Sequence, residues 1–546
     1  MILAIEAQSF APLFTLFISV FISTFPMTDS NLPPLIQQML KPEFYPDSGS
    51  FAVGDAPIQL IQTHISYVLL TGDYAYKIKK PLNFGFLDYS TLERRQHFCE
   101  EELRLNQRAA AELYLAVIPI TQEAEDGAPK FQLGGSGEIV DYAVKMQQFP
   151  QDTLLTELYE RGELTEALLQ ELATVIAKFH LETTTNDYIC SFGEVSQVRQ
   201  AFDENYEQTE QYIGGPQTQQ QFDQTRTYSD RFFADHEALF TDRIQNGRIR
   251  ECHGDLHLRN IAYWKQQFFL FDCIEFNEPF RFVDVMFDIA YIVMDLAARQ
   301  RPDLSTVFLN AYVEQTGDWE GLQVLPIYVN RQTYVRAKVT SFLLNDPTVP
   351  IDEKQKASDT AALYYRLAWA STQPQTGRLF LMSGLSGAGK STTARQLARR
   401  VGAIHLRSDA VRKHLGGVPL DQRGDAALYT PEMTQKTYER LLTLGLTLAQ
   451  IGYTVILDAK YDRGSLRQEA IAQATAHQLP LQILYCTAPS EVLIERVRQR
   501  TGDIADATPD ILAAQSFEPF TPAESEYVKT LDTTQNIEAA LSLLLA

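Results

Sequence analysis

The chain has 546 residues, of which 45% are hydrophobic and 21% are charged, and its formal net charge is -22. This length is too great for one hydrophobic core, so it predicts two or three domains. From Arg378 onward 18 basic and 18 acidic residues balance, so the whole acidic excess lies upstream. An acidic upstream part argues against a broad nucleic-acid or anionic-membrane surface there.

The first 26 residues are mostly apolar and need separate treatment. They contain Glu6 but no basic residue, they lack a small-residue cleavage site, and they are short for a spanning helix. We therefore expect neither a signal peptide nor stable membrane association. Met27 opens a polar stretch that suits a start, and we interpret 1–26 as an extension from a misassigned start codon. A weak membrane-associating leader stays the alternative.

The five cysteines are scattered along the chain, with no C-x-x-C pair and no cysteine and histidine cluster at zinc spacing. This usage is typical of reduced thiols in the cytosol, so we expect a cytoplasmic protein.

The region after Met27 predicts a small β-rich lobe. Apolar runs at 65–70 and 74–79 predict two strands, which a tight turn around Gly72 joins. A helix is expected over 91–111, and further β-like segments lie at 115–120 and 138–146.

The remainder divides into a helical part and an alternating part. From 154 to 369 the pattern is mainly helical, broken by a loop at 253–260 and a short strand at 268–271. A polar stretch with Pro and Gly at 371–377 predicts a linker. Beyond it, strands alternate with helices, which is typical of a parallel α/β sheet. We predict domains at 27–370 and 378–546. The predicted strands of the second domain are 379–382, 403–406, 454–457 and 481–486.

The loop at 253–260 suits phosphoryl transfer, which needs a carboxylate at the accepting hydroxyl, ligands for Mg²⁺ and a cation on the phosphates. Asp255 is the candidate base, and Asn260 lies five residues on, where it can hold metal. Asp272 follows an apolar strand and is the second candidate metal ligand. Lys77, on an early strand, is the candidate phosphate cation.

These residues resemble the aminoglycoside phosphotransferase and choline kinase-like group, whose H-G-D-x-x-x-x-N loop and later aspartate match 253–260 and Asp272. The resemblance covers about 61–296 and implies an α+β, protein-kinase-like bilobal domain. It implies that Lys77 binds nucleotide, that one glutamate of 100–102 pairs with it, that 146–149 meets adenine, and that Asp288 supports the catalytic loop.

The second motif is a complete G-x-x-x-x-G-K-S loop, which an apolar run precedes and a predicted helix follows. In such a loop, backbone N–H groups and the lysine bind phosphates, and the serine hydroxyl binds Mg²⁺. The predicted nucleotide-binding residues are Gly384, Ser386, Gly387, Ala388, Gly389, Lys390, Ser391 and Thr392.

Three further groups favour a kinase over a motor or switch. Asp409 follows a strand and opens a helix that carries Arg412 one turn later, which places a base beside a cation. Asp458 ends an apolar strand, where it can reach Mg²⁺. Arg496 and Arg500 are predicted one turn apart on one face of a late helix, as a lid over the transferring phosphate.

Residues 378–520 resemble small P-loop kinases of the gluconate kinase, zeta-toxin and polynucleotide 5′-hydroxyl kinase type. The resemblance implies that Asp409 activates the acceptor, and the spacing of Asp409 to Arg412 is closest to the polynucleotide kinases. It also implies an α/β P-loop domain.

The sequence thus predicts a bifunctional, ATP- and Mg²⁺-dependent phosphotransferase acting on hydroxyl groups of small molecules. One alternative is a P-loop kinase regulated by a non-catalytic kinase-like sensor, because Gly72 is the single glycine of the first turn. Another is a 5′-hydroxyl nucleic-acid kinase in the second domain. The sequence leaves the acceptor and the oligomeric state open.

Overall fold

A computed structural model describes residues 32–45, 58–85, 87–125, 128–347, 349–500 and 502–545. The predicted leader at 1–26 lies outside the described residues. Among the described helices, none is long and apolar enough to cross a membrane.

The first domain begins with a lobe built on one antiparallel sheet of six strands, in the order β1-β2-β3-β6-β4-β5. Helix α2 packs on β4 and β6, with the Thr91 side chain capping its first turn. The elements are α1 (Pro34–Met39), β1 (Gln59–Gln62), β2 (Ser66–Leu70), β3 (Tyr74–Lys79), α2 (Leu92–Ala110), β4 (Tyr114–Glu125), β5 (Ala128–Leu133) and β6 (Glu138–Gln147).

The second lobe is mainly helical and holds two small antiparallel pairs, β7 with β10 and β8 with β9. Its elements are α3 (Leu155–Glu160), α4 (Glu166–Glu182), α5 (Asp187–Ser191), α6 (Val195–Thr209), α7 (Gln219–Asp235), α8 (Glu237–Gln245), β7 (Ile249–Glu251), β8 (Ile261–Trp264), β9 (Gln267–Leu270), α9 (Glu278–Arg281), β10 (Phe282–Asp284), α10 (Val285–Ala298), α11 (Pro302–Thr316), α12 (Leu325–Asn345) and α13 (Ile351–Ser371).

The C-terminal domain is a parallel sheet in the order β12-β13-β11-β14-β15, surrounded by helices. Its elements are β11 (Arg378–Ser383), α14 (Lys390–Val401), β12 (Ile404–Arg407), α15 (Ser408–Leu415), α16 (Pro431–Gln450), β13 (Thr454–Asp458), α17 (Gly464–Ala476), β14 (Leu481–Thr487), α18 (Ser490–Gln499), α19 (Pro509–Ala513), β15 (Val528–Asp532) and α20 (Ile537–Leu545). The chain is therefore a mixed α/β protein with a parallel-sheet P-loop domain at its C-terminus.

The two domains share a buried apolar cluster. It runs from the helical lobe, through residues such as Phe308 on α11, into the sheet at Leu381 and Leu406. Helix α11 packs directly on α14 and β12. The second domain therefore rests on the helical lobe along a continuous core.

Most predicted elements are present, with differences at the edges. The expected strands at 65–70 and 74–79 are β2 and β3, and Gly72 between them has φ of 99°. The pattern missed β1, β5 and β15, which are edge strands of the two large sheets. It also missed β7, β8 and β10, which belong to the small pairs of the helical lobe. Helix α13 continues to Ser371, so the extended connection begins one residue later than the predicted linker.

Candidate functional sites

In the first site, Lys77 lies between two carboxylates that come from distant parts of the chain. Its Nζ is 2.8 Å from Oε1 of Glu102 on α2 and 2.7 Å from Oδ1 of Asp272 after β9. Although burial opposes the charged form, Asp272 and Glu102 hold the pKa of Lys77 well above its usual value. The expected pairing of one glutamate from 100–102 with this lysine is therefore made by Glu102.

A second lysine, Lys79, shares Glu102 and was not expected at the site. Its Nζ lies 2.6 Å from Oε2 of Glu102 and also pairs with Glu275, whose carboxylate accepts a 2.5 Å bond from the hydroxyl of Tyr89. Two residues along a strand share a face, so Lys77 and Lys79 both point to α2. The spacing of two residues along the strand is the one sequence signal that could have placed Lys79 beside Lys77, because the partners of Lys79 lie far away in the sequence.

The loop that follows β7 brings the predicted base and metal ligand together. The amide of Asn260 donates to the backbone oxygen of Asp255 at 3.0 Å and to its Oδ2 at 3.3 Å. Nε2 of His257 lies 3.3 Å from the same carboxylate. Burial alone would raise the pKa of Asp255, but His257 and Arg336 outweigh it and lower that pKa to about 2.

Asp288 anchors this loop from the N-terminal turn of α10. Its two carboxylate oxygens accept the backbone N–H groups of His253 and Gly254, each at 2.9 Å. His180 in turn bonds Asp288 at 3.0 Å. The expectation that Asp288 supports the loop is confirmed by these bonds. They also engage two members of a buried group, His180, Cys252 and Asp288, whose ligand atoms lie within 4.8 Å of one another.

The strand that leads to Asp272 is tied to the same loop. Nε2 of His253 lies 2.9 Å from the backbone oxygen of Phe271, and the N–H of Phe271 donates to the oxygen of Asn260 at 3.0 Å. Asp272 itself has φ of 64°, a left-handed conformation that is uncommon for residues other than glycine. Asp255, Asn260, Asp272 and Lys77 thus converge between the two lobes.

In the second site, the loop between β11 and α14 has the backbone that the motif predicts. Gly384 has φ of 132°, and a Cβ there would lie 2.4 Å from the backbone oxygen of Cys486. Gly387 has φ of 80°, and its Cβ would lie 2.5 Å from the oxygen of Leu493. Only glycine fits at these two positions, so the loop forms the close cradle that phosphates need.

The polar groups of the second site meet at the carboxyl end of the sheet. Asp458, at the end of β13, lies beside β11 and β12, and it faces the P-loop residues Lys390 and Ser391. Nε2 of His405 is 2.9 Å from Oδ2 of Asp458. Burial would raise the pKa of Asp458, but the bond from His405 and the nearby charges lower it to about 2.

Lys390 is half-buried, and the loss of solvent lowers the pKa of its ammonium. Its Nζ donates to the backbone oxygen of Leu385 at 2.9 Å, which holds it over the loop. An ionised carboxylate and a serine hydroxyl are hard oxygen ligands of the kind that Mg²⁺ takes. The glycine cradle, Lys390, Ser391 and Asp458 therefore fit a magnesium–nucleotide complex.

Asp409 and Arg412 share helix α15, as predicted, and Arg407 precedes them at the end of β12. Burial raises the pKa of Asp409, with Arg407 opposing the rise and Asp458 adding to it. The guanidinium of Arg412 donates to the oxygen of Leu428 at 3.0 Å. Arg412 is 8% exposed, yet none of the carboxylates in the described ranges lies within ion-pair distance of it.

The two late arginines lie on α18 and at its C-terminal cap. Arg496 lies on α18 and bonds Thr533 beside the P-loop, at 2.8 Å from its hydroxyl. The helix ends at Gln499, and Arg500 is its C-terminal cap, with a helical φ of -64° and an extended ψ of 121°. The shared face of Arg496 and Arg500 stays a prediction. Gly502, with φ of 67°, opens the segment that follows them.

The lid, 502–517, folds over the site and was not singled out from the sequence. Asp503 lies 2.6 Å from Arg407, and Asp506 accepts bonds from Gly424 and Tyr429. The side chain of Gln515 accepts the backbone N–H of Ser386 at 3.0 Å and donates to its hydroxyl at 3.0 Å. Gln515 therefore occupies a backbone amide of the glycine cradle, the N–H of Ser386.

Comparison with known families agrees with this second site. Residues 379–517 match the family model AAA_33, which is described as an AAA domain. This range includes the P-loop, Asp409, Asp458 and the lid. The C-terminal domain is thus a nucleotide-binding domain of the P-loop class.

The whole chain also has long relatives. It is 31% identical over 467 residues to "Uncharacterized protein Rv2004c" of Mycobacterium tuberculosis, covering 85% of this chain and 90% of the relative. The chain belongs to the family of this mycobacterial protein, which spans both domains.

Two solved structures illustrate the partial similarities. A gluconokinase from Sinorhizobium meliloti is 19% identical, covers 31% of this chain and 88% of its own, and has a TM-score of 0.23. A choline/ethanolamine kinase family protein from Mesorhizobium loti is 9% identical, covers 60% of this chain and 96% of its own, and has a TM-score of 0.33. TM-scores this low do not establish a shared fold.

Proposed function

We propose that the chain is a bifunctional phosphotransferase, with one ATP- and Mg²⁺-dependent site in each domain and a hydroxyl group as acceptor at each. The observation that carries the proposal is the same convergence in both domains. A carboxylate for the acceptor, oxygen ligands for Mg²⁺ and a lysine for the phosphates come from separate segments and meet at one place. These are the groups that phosphoryl transfer needs.

At the first site, Asp255 orients the acceptor. A carboxylate with a pKa of about 2 is ionised at every physiological pH and is a weak base, so its main role is to accept a hydrogen bond from the hydroxyl. Asn260 and Asp272 are the proposed metal ligands. Mg²⁺, when bound, would neutralise charge on the transferring phosphate. Lys77, which Glu102 holds in place, donates to the nucleotide phosphates.

At the second site, Asp409 is a stronger base than Asp255 is at the first site, because burial raises the pKa of Asp409. Burial and neighbouring charges, with no hydrogen bond from the described residues, set the pKa of this carboxylate, so it is free to accept a bond from an acceptor hydroxyl. A buried arginine is normally paired with an anion. In the described part of the chain, the partners of Arg412 are neutral: the oxygens of Leu428 and Thr434 and the ring of Tyr429. We propose that an anionic group of the acceptor supplies the missing charge.

The test is ADP release by wild type, Asp255→Asn and Asp409→Asn against a pooled library. The pool contains sugars, nucleosides, sugar phosphates, aminoglycosides and 5′-hydroxyl oligonucleotides. Two acceptor-dependent activities, each lost in a different variant, support two independent kinases. An activity that Asp409→Asn alone removes, with every acceptor, contradicts catalysis in the first domain.

That second result would favour a non-catalytic sensor domain, and two features of the first site are in keeping with one. Lys77 is already engaged by Asp272, and the turn above it has the single glycine Gly72. Isothermal titration of the full chain carrying Lys390→Ala separates the two functions. Mg-ATP binding together with acceptor-dependent ADP release by this variant would rule out the non-catalytic sensor.

A nucleic-acid end is the alternative acceptor of the second site. The spacing of Asp409 and Arg412 suits a terminal nucleotide, whose phosphate would give Arg412 the anion that it does not find among the described residues. Transfer of the γ-phosphate to 5′-hydroxyl oligonucleotides, lost in Asp409→Asn, would establish it. Failure to label such oligonucleotides, with labelling of a small molecule in the same pool, removes it.

A further inference from the structure

Helix α11 belongs to the N-terminal domain but lies against the strand that supplies the acceptor side of the P-loop site. Strand β12 is the edge strand of the parallel sheet, next to β13 alone. The side of β12 that faces away from β13 is therefore the side that α11 approaches. An edge strand leaves a row of N–H and C=O groups that something must bond or cover.

Asn310 of α11 bonds this edge with both ends of its amide. Its Nδ2 donates to the oxygen of Ala403 at 2.9 Å, and its Oδ1 accepts the N–H of His405 at 2.8 Å. In a strand, the C=O of one residue and the N–H two residues later point to the same side. Asn310 thus takes the place that a neighbouring strand would have.

The same helix holds the far end of β12. Oε1 of Glu314, one turn after Asn310, lies 3.5 Å from the guanidinium of Arg407. The backbone oxygen of Glu314 accepts a 2.8 Å bond from Nε2 of His414 on α15. Asn310 and Glu314, one turn apart on α11, therefore bond both β12 and α15, the helix that carries Asp409.

Strand β12 links Asn310 to Asp458, the candidate metal ligand, through His405. The backbone N–H of His405 donates a hydrogen bond to Asn310, and the imidazole of the same residue bonds Asp458 at 2.9 Å. Asp458 is 4% exposed and faces Ser391. A partner that fixes a metal ligand in this way orients its oxygens before the metal arrives.

We propose that Asn310 is a positioning residue of the P-loop site, supplied by the other domain. It fixes β12, and through His405 it holds Asp458 in the orientation that Mg²⁺ requires. The inference rests on the proposed function of the P-loop site and adds that this site is incomplete without the N-terminal domain.

The test is the Mg²⁺ requirement for binding of the fluorescent nucleotide mant-ATP by the full chain. The P-loop component is the part of the signal that Lys390→Ala removes. Asn310→Leu preserves side-chain size but removes both bonds, and we expect it to raise the Mg²⁺ concentration for half-maximal binding about tenfold. Asn310→Asp keeps the acceptor for His405 and loses the donor, so a smaller rise is expected.

The matched control is Glu166→Gln, which breaks another contact between the domains. Glu166 lies 2.5 Å from Arg399 on the surface and touches neither β12 nor the site. It should leave the Mg²⁺ requirement unchanged, whereas general loosening of the domains would affect both variants. Melting curves confirm that each variant is folded.

The outcomes are distinct. An unchanged Mg²⁺ requirement in folded Asn310→Leu and Asn310→Asp, with Lys390-dependent binding intact, overturns the role of Asn310 and leaves the proposed function standing. A wild-type chain with no Lys390-dependent binding overturns both.

Discussion

Replacing Asp458 and Asp409 by asparagine should change the stability of the P-loop domain in opposite directions, although both replacements should abolish its transfer activity. Asp458 is ionised and stabilised by His405 and nearby charges, with its pKa lowered to about 2. Asp409 is half-buried without a hydrogen-bond partner among the described residues, and this partial burial raises its pKa. Neutral asparagine thus removes a favourable charge at one position and an unfavourable charge at the other.

The magnitude for Asp458 follows from its pKa. A fall from the ordinary value of 3.8 to about 2 corresponds to about 2 kcal/mol of stability for the ionised form. This contribution is complete above pH 4 and is lost as the pH falls through 2. For a domain of this size, about 2 kcal/mol lowers the melting temperature by roughly 4–8 °C.

The sign for Asp409 is the reverse. A carboxyl group with a raised pKa in the folded state binds its proton more tightly there, so its ionisation disfavours folding. Asp409→Asn should therefore melt at a higher temperature than wild type at pH 7.5. The gain should shrink as the pH falls toward the ordinary carboxyl pKa, where wild-type Asp409 is protonated as well.

The assay is scanning calorimetry of the full chain in EDTA without nucleotide, at pH 7.5 and pH 5. Asp458→Asn should show the same deficit at both values, because both lie well above its pKa. If Asp409→Asn melts below wild type at pH 7.5, or if Asp458→Asn melts at the wild-type temperature, the electrostatic reasoning for this site is wrong.

Three further predictions concern other parts of the molecule. Gln515→Ala frees the N–H of Ser386 and should tighten mant-ATP binding up to about fivefold in fluorescence titrations, since one net hydrogen bond is worth about 1 kcal/mol; weaker binding would contradict competition by this side chain. Gly384→Ala places a Cβ 2.4 Å from the oxygen of Cys486 and should abolish P-loop binding in the same titrations, and wild-type affinity would refute the close cradle. Tyr312→Phe removes the 2.8 Å bond to His180, which bonds the loop-anchoring Asp288, so hydrogen exchange at 252–260 should speed up while exchange at 404–407 stays unchanged. Unaltered exchange at 252–260 would show that the bond does not restrain the loop.

The P-loop domain was largely predictable because its signals are local. Apolar runs marked the buried parallel strands, and the acids follow them directly, at the ends of β12 and β13. Strand β15 was missed because its sequence, VKTLD, is polar and lies at the sheet edge. Helix α18 ends at Gln499, one residue before Arg500, which the pattern had included in the helix.

The contacts between distant segments could not be predicted from the sequence pattern. Nothing local indicates that Lys79 meets Glu275, which lies 196 positions away, or that Gln515 closes on the P-loop. The contact of Asn310 with β12 depends on how two domains pack, and the polar stretch between them gave no sign of it. The sequence therefore predicted the candidate ligands and bases, whereas the residues that position them are seen in the three-dimensional structure.

The central claim is that one chain contains two separate nucleotide sites, and the most direct measurement is the stoichiometry of Mg-ATP binding by calorimetric titration of the full chain. Two nucleotides should bind per chain in wild type, one in Lys390→Ala and one in Lys77→Ala. A single nucleotide in wild type, with none in Lys390→Ala, would contradict the claim and leave the P-loop as the sole site.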